Sequence, residues 1–403
     1  MKINFFSAAG ALLLAGTLGG TAAPKTASPE KIKPGQIDEE PYRFNGAVLT
    51  DNARGSGFCA WNPHTFFTAA HVVFGDTTWG APPDWYPSAN SAMLPPEDGI
   101  RTRGYYRWTE YSTLATAAVQ EVSPFSQDVA LAFSFERLIR GTPAKINLEG
   151  SKDLKRNIKT LITGYPAEKD YTETELSGYF LHKTGPTVTP YQSYEGNALT
   201  TTLVSTGPGN SGGPVWTKNA KGKWIASGVL VGGLPSESVV YTFSKDINDL
   251  FKAVTPVIRP EVQWPEKVKG VSSTSTFFPY TRSEKIPDGE HKWTTFKVKV
   301  SHFGELEQVK TVRLSLDIRT KHVGDLQVML AGPGGFQAMV HNEEGAGGNN
   351  LNLTDADFST NFTGIIANGE WQLRVQDRLK GDIATFKSFV LEIATEGAAS
   401  TTP

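Results

Sequence analysis

Thr206-Gly207-Pro208-Gly209-Asn210-Ser211-Gly212-Gly213-Pro214 sets one serine in a run of small residues directly before an apolar segment, Val215-Trp216. Glycines on both sides let the backbone reach positive φ and leave the hydroxyl and the neighbouring N–H groups uncovered. A nucleophile beside an oxyanion hole needs that arrangement. A glycine-rich hairpin turn has the same composition, so Ser211 alone decides nothing, and two upstream stretches carry the decision.

The first is Thr65-Phe66-Phe67-Thr68-Ala69-Ala70-His71-Val72-Val73, an apolar strand ending on His71. A lone histidine beside apolar residues is ordinarily a satisfied strand-end residue. Here the small Ala69 and Ala70 leave room for another side chain to approach the imidazole. The second is Ser126-Gln127-Asp128-Val129-Ala130-Leu131-Ala132-Phe133, an aspartate leading into alternating apolar positions. Such an aspartate is ordinarily a turn residue; beside His71 and Ser211 it becomes a candidate orienting carboxylate.

Thr-Ala-Ala-His71, Asp128-Val-Ala-Leu and Gly-Asn-Ser211-Gly-Gly-Pro, in that chain order, resemble the trypsin-like (chymotrypsin-fold) serine peptidases over roughly residues 42–254. The resemblance implies an all-β double barrel with Ser211 as nucleophile, His71 as general base and Asp128 as its orienting acid. It also implies an oxyanion hole made by the N–H groups of Gly209 and Ser211. Gly209-x-Ser211-x-Gly213 matches the nucleophile elbow of α/β-hydrolases as well. That fold places its acid and histidine after the serine, whereas His291, His302, His322 and His341 lie beyond a proline-rich boundary, so an esterase or lipase ranks below a peptidase.

Gly228-Val-Leu-Val-Gly232-Gly233-Leu-Pro and the helix that follows resemble the V8-like branch of secreted peptidases. Its glutamate-specific members place a histidine where Leu230 stands, so that specificity does not carry over. Ser205, six residues before Ser211, falls at the base of the implied specificity pocket beside Thr206, with Val239 narrowing the wall. No acid is present there, so an uncharged substrate side chain is expected. Substrate backbone is expected to add as an extended strand along Val231, Gly232 and Gly233. Asn210 replaces the aspartate that in many relatives pairs with a new N-terminal amine, and an amide forms no ion pair.

The remaining chain fits this reading. At 403 residues, two domains are expected. A net charge of −2 excludes a basic nucleic-acid footprint and a polybasic membrane patch. Residues 1–22 read as a signal peptide: Lys2, the apolar run through Leu12-Leu13-Leu14, then small residues. The protein is therefore expected to be secreted, extracellular or periplasmic, with a polypeptide substrate, no nucleic acid and no membrane span. Residues 23–41 are polar and proline-rich, a linker or short pro-segment. Residues 42–255 form the peptidase domain, closed by a helix in which Ile247, Leu250, Phe251 and Val254 share a face after Ser244. The aromatic-rich stretch 75–112 reads as irregular loop. Cys59, the single cysteine, permits no intramolecular disulfide and reads as a small buried hydrophobe.

After a proline-rich linker at 256–271, alternating strands recur around Lys297–Val300, Thr311–Ile318, His322–Leu330, Asn368–Asp377 and Phe386–Ile393. This ordered set resembles the P domain (P/Homo B domain) of proprotein convertases, over residues 272–396, and implies a jelly-roll β-sandwich followed by a tail at 397–403. No cofactor is required by the expected chemistry. Asp325, Asn342, Asp377 and Asp382 offer hard oxygen donors compatible with structural calcium; a place as turn and sandwich-edge residues accounts for them more simply, and no metal ligand is assigned. The contrasting functional reading is an adhesion or binding protein with a vestigial peptidase domain. The intact triad motifs argue against it.

Overall fold

The computed structural model describes residues 29–395 apart from 51–52, 75–82, 95–97, 117–123, 135, 157, 168–178, 189, 205, 235–236, 259–269, 274–275, 302, 304 and 346. The signal-peptide reading, Ser205 and the tail at 397–403 lie outside the described residues. The molecule is predominantly β. Two eight-stranded sheets occupy residues 30–273, and two four-stranded sheets follow between residues 276 and 395.

The first sheet carries the His71 and Asp128 segments on neighbouring strands, Thr65–Thr68 and Ala130–Phe133, both buried along their length. The second carries the Ser211 turn, which leads into Pro214–Lys218, itself paired with Trp224–Leu234. Aromatic side chains join the two: Phe58 of the first sheet meets Trp216 of the second edge-on, with ring centroids 5.7 Å apart. The helix Ile247–Ile258 buries Ile247, Leu250 and Val254 completely in the same core. This is the face expected from its 3.6-residue spacing. Cys59 is fully buried, and burial pushes its thiol well above the ordinary range.

Three segments differ from their sequence readings. Within 75–112, the strands Asp84–Pro87 and Gly104–Trp108 bring Trp85, Tyr105 and Tyr106 into the core rather than onto a loop; Trp79 lies outside the described residues. The supposed linker before Tyr42 contributes the strand Glu30–Lys31, paired with His182–Val188, and Ile32 is buried against Leu181 and Tyr165. At the other boundary, the closing helix continues to Ile258, and Val271–Ser273 pairs with Gly104–Trp108 as the outermost strand of the first sheet.

The remaining sheets pack face to face. Val309–Arg319 alternates buried Val312, Leu314, Leu316 and Ile318 with more accessible residues, the period-two pattern of a half-buried strand. Phe386 of one sheet stacks on Phe296 of the other at 3.8 Å between ring centroids, so the core lies between the sheets.

Candidate active site

Strand register brings His71 and Asp128 together. Thr68 pairs with Ala130, and just beyond that pair the two chains leave the sheet at the same end. His71 then enters the short helix Ala70–Val73, and Asp128 precedes the other strand by two residues. Asp128 Oδ1 accepts the backbone N–H of His71 at 2.9 Å, and Oδ2 lies 2.6 Å from His71 Nδ1. The carboxylate is nearly inaccessible, at 3% side-chain exposure, whereas the imidazole is 37% exposed. A buried carboxylate against Nδ1 favours the tautomer protonated there and leaves Nε2 as the basic nitrogen.

The Ser211 turn is clamped between the two sheets. Ser56, on the strand Arg54–Cys59, donates its N–H to the Ser211 carbonyl at 2.8 Å. Its Oγ donates to the Gly209 carbonyl at 2.7 Å and accepts the Tyr165 N–H at 2.8 Å. From the other side, Gly212 N–H donates to the Leu230 carbonyl at 2.7 Å, and Leu230 N–H donates to the Gly213 carbonyl at 2.8 Å. The turn demands its glycines. Gly209 and Gly212 have φ of 86° and 89°, the region in which a side chain is strained. A Cβ on Gly212 would stand 2.0 Å from the Ser56 carbonyl oxygen and 3.0 Å from the Ala69 nitrogen, two residues from His71. Ser211 is thus held against the segment that carries the imidazole. Among the described residues, the N–H groups of Gly209 and Ser211 donate no hydrogen bond within the protein.

The other sequence-derived residues fall around this centre; Ser205 lies outside the described residues. Thr206 Oγ1 lies 2.8 Å from Ser238 Oγ. Since Ser238 gives its own proton to the Val204 carbonyl, at 2.8 Å, Thr206 is the donor in that pair. Pro214–Lys218 pairs with Trp224–Leu234 only as far as Val229, so along that edge Val231, Gly232 and Gly233 have no partner strand among the described residues. Val231 itself is buried and points to the core, as do Leu230 and Val239; the accessible positions are Gly232 and Gly233. Asn210 is buried, and its Oδ1 packs where a Cβ on Gly164 would stand, 2.6 Å away. Among the described residues no ion pair reaches it.

Two contributors were not found by sequence reasoning. For Ser56 the only signal is Gly55-Ser56-Gly57, a small hydroxyl residue flanked by space for a close backbone approach. Phe125, three residues before Asp128, sits so close to Gly232 that a Cβ there would lie 2.6 Å from its ring. Tyr194, 46% exposed, lies against Phe125 at 6.2 Å between centroids. Together they form an aromatic border beside the accessible glycines.

In the C-terminal sheets, Asp325 and Asp382 gather with His322, their ligand-type atoms all within 4.8 Å of one another. Asn342 stands apart, its Oδ1 accepting from Gln327 Nε2 at 2.9 Å. Asp377 departs from the edge position expected of it: it is 1% exposed. Burial, then the charges of Asp288, Asp382 and Asp325, push its carboxyl up to about 6, with the nearby Ala384 N–H offsetting part of the rise. Burial alone would raise Asp382 too, but hydrogen bonds from the Lys321 N–H, His322 and Thr320 bring it below the ordinary range.

Comparison with known proteins agrees with this architecture. Residues 55–226 match the family described as trypsin-like peptidase domain, and residues 309–393 match the proprotein convertase P-domain. A protein named calcium-dependent protease from Nostoc sp. is 28% identical over 121 residues, which cover 28% of this chain and 18% of that protein. A protein of the same name from Trichormus variabilis is 28% identical over 92 residues, covering 21% and 14% respectively. The matched stretches therefore span less than a fifth of these curated relatives. Among solved structures, a Glu endopeptidase in complex with MPD covers 57% of this chain and 97% of its own, at 14% identity and a TM-score of 0.44. The secreted serine protease VesC from Vibrio cholerae covers 91% and 99%, at 13% identity and a TM-score of 0.40.

Proposed function

We propose, for a chain that carries a trypsin-like peptidase domain over residues 55–226 and a proprotein convertase P-domain over residues 309–393, that it is a serine endopeptidase acting through Ser211, His71 and Asp128. The observation that carries this reading is the bidentate grip of buried Asp128 on the backbone and Nδ1 of His71, with the Ser211 turn packed against the same segment.

The chemistry follows from those roles. Ser211 Oγ attacks the scissile carbonyl carbon while His71 Nε2 takes the hydroxyl proton, giving a tetrahedral oxyanion that accepts hydrogen bonds from Gly209 and Ser211 N–H. The C–N bond then breaks, Nε2–H supplies the proton to the leaving amine, and an ester to Ser211 remains. Water, deprotonated by the same nitrogen, attacks the ester carbon; the bond from that carbon to Oγ then breaks, Nε2–H returns the proton to Ser211 Oγ, and the carboxylic acid product leaves. Asp128 holds the imidazole in the required tautomer and stabilises the imidazolium formed twice in the cycle.

Substrate would lie as an added strand along Val231, Gly232 and Gly233, bordered by Phe125 and Thr206, with an uncharged side chain directed toward Ser205 and Thr206. The peptidase unit would span residues 42–255, extended by the strand at Glu30–Lys31 and the last turn of the closing helix. The P domain, residues 272–396, would support stability or substrate engagement. We assign residues 1–22 to an export signal, which makes the protein a secreted one; among the described residues no helix is long and apolar enough to cross a membrane. Calcium enters as a structural ion of the second domain, in keeping with the names of the two curated relatives, and no step of hydrolysis passes through it.

The test is hydrolysis of a mixed peptide library by the purified protein and by Ser211→Ala. Loss of turnover by roughly 10⁴-fold or more in the variant, with cleavage after uncharged residues in the parent, is expected. Equal rates for the two proteins would overturn the assignment, and sharp cleavage after Arg, Lys or Glu would overturn the specificity.

A further inference from the structure

We propose that Tyr105 and Arg107 are positioning residues for His71, because the strand they share, Gly104–Trp108, holds the one turn of helix from which the imidazole projects. The inference rests on the serine peptidase reading above.

The helix Ala70–Val73 has four residues, too few to be stable through its own hydrogen bonds. Its place is therefore set by what it packs against. At its start, Asp128 Oδ1 accepts the His71 N–H. At its end, the Val73 carbonyl can have no partner inside the helix, and the Tyr105 hydroxyl donates to it. Phe74, the next residue, is buried, and the Arg107 guanidinium lies 3.8 Å from its ring centroid. Tyr111 meets the same ring edge-on, at 6.1 Å between centroids.

Residues two apart on a strand share a face, so Tyr105 and Arg107 reach the end of the helix together. Both are enclosed, at 0% and 4% exposure. Arg107 Nη1 donates to the Trp108 carbonyl at 2.7 Å, which orients the guanidinium. Enclosing a phenol and a guanidinium costs stability that apolar side chains of similar size would spare, and what these two add is their hold on the His71 segment.

The brace is itself anchored. Gly104–Trp108 lies between Val271–Ser273 and Ala130–Phe133. Arg107 pairs with Ala130, and Ala130 with Thr68, so the register row that carries the brace passes two residues from Asp128 and three from His71. Arg103, just before the strand, is ion-paired with Glu392.

The helix also borders the Ser211 turn. A Cβ on Gly55 would stand 2.7 Å from Val72 Cγ1 and 3.1 Å from the Ser211 carbonyl oxygen, so Val72 and the Ser211 backbone crowd the same glycine. A shift of the helix therefore changes the separation of His71 from Ser211. Proton transfer to Nε2 requires hydrogen-bond reach, and a displacement of about 1 Å costs on the order of 10²-fold in rate. Gly232 and Gly233, where substrate backbone is to lie, belong to the other sheet. Loss of the brace should accordingly lower kcat and leave KM in place.

Tyr105→Phe and Arg107→Met are compared with the parent as full chains, with folding followed by circular dichroism and Tm by thermal unfolding. A fluorophosphonate reports the maximal rate of adduct formation at Ser211, and a peptide cleaved from the library above separates kcat from KM. Both variants are expected to form the adduct and to turn over the peptide about tenfold more slowly, with KM within about twofold of the parent. Leu314→Ala, in the core of the C-terminal sandwich, is the control for lost stability: its Tm should fall while both rates stay at the parent's. Folded variants that react as fast as the parent would overturn the proposal, as would a rise in KM at unchanged kcat or an equal slowing in Leu314→Ala. A folded parent that forms no adduct would overturn the serine peptidase reading and this proposal with it, whereas an active parent with equally active variants overturns this proposal alone.

Discussion

Ser56 shows how much of the site rests on a residue that does no chemistry. Its backbone N–H, its Oγ lone pair and its Oγ proton bind the carbonyl of Ser211, the N–H of Tyr165 and the carbonyl of Gly209. Replacing it with alanine would leave two buried groups unsatisfied, at about 1–3 kcal/mol each. For Ser56→Ala we expect a corresponding loss in urea stability and a fall in kcat larger than any change in KM, because the turn carrying the proposed nucleophile and oxyanion donors loses its support. Unchanged kcat in a folded variant would contradict this. His71, Asp128 and Ser211 could be picked out in the sequence because each sits in a short local pattern of small and apolar residues. Ser56 could not: the partners of its hydroxyl are 153 and 109 residues away, and nothing local marks a strand serine as a clamp. The burial of Asp377, a residue that the sequence does single out, was hidden for the same reason, since only strand pairing shows that its carboxylate is enclosed.

At the scale of elements, the proposed active centre is a meeting of chain ends. Two paired strands release His71 and Asp128 at one edge, and a left-handed turn presents Ser211 from the opposing sheet. The turn tolerates little change. Gly212→Ala would combine a φ of 89° with a Cβ only 2.0 Å from the Ser56 oxygen. We expect destabilisation on the order of 4 kcal/mol or more, measured by thermal unfolding; a variant as stable as its parent would contradict the turn geometry. The same scale explains what the sequence concealed. Alternation revealed the half-buried strands of the C-terminal sandwich, such as Val309–Arg319. Gly104–Trp108 is buried on both faces, so it has no alternation to read, and its tyrosines and arginine amid prolines resembled a loop. The strand Glu30–Lys31 was hidden by its polarity, since it pairs at the outer edge of a sheet.

For the whole molecule, the two pairs of sheets are joined by buried contacts as well as by the chain. Val271–Ser273 completes the first sheet, and Phe277 packs edge-on against Phe133 at 5.0 Å between centroids. Arg103 and Glu392, 5% and 7% exposed at their side chains, form an ion pair between the two parts. Removing one partner of such a buried pair typically costs about 3–5 kcal/mol. Glu392→Gln is therefore expected to lower urea stability by that order and to separate the unfolding of the two parts; a single unshifted transition would contradict a structural role for the contact. Phe277 and Val390 belong to the core shared with the peptidase sheets. Removal of residues 270–403 should accordingly expose apolar surface on that core.

The central claim is that Ser211 is an activated nucleophile. The most direct measurement is mass-spectrometric mapping of the adduct formed by a fluorophosphonate, with Ser211→Ala and Asp128→Asn as controls whose folding is checked by circular dichroism. A single adduct on Ser211, absent from the alanine variant and formed far more slowly with Asp128→Asn, is the predicted result. An unlabelled Ser211 in folded protein, or labelling that proceeds equally fast without Asp128, would contradict the account.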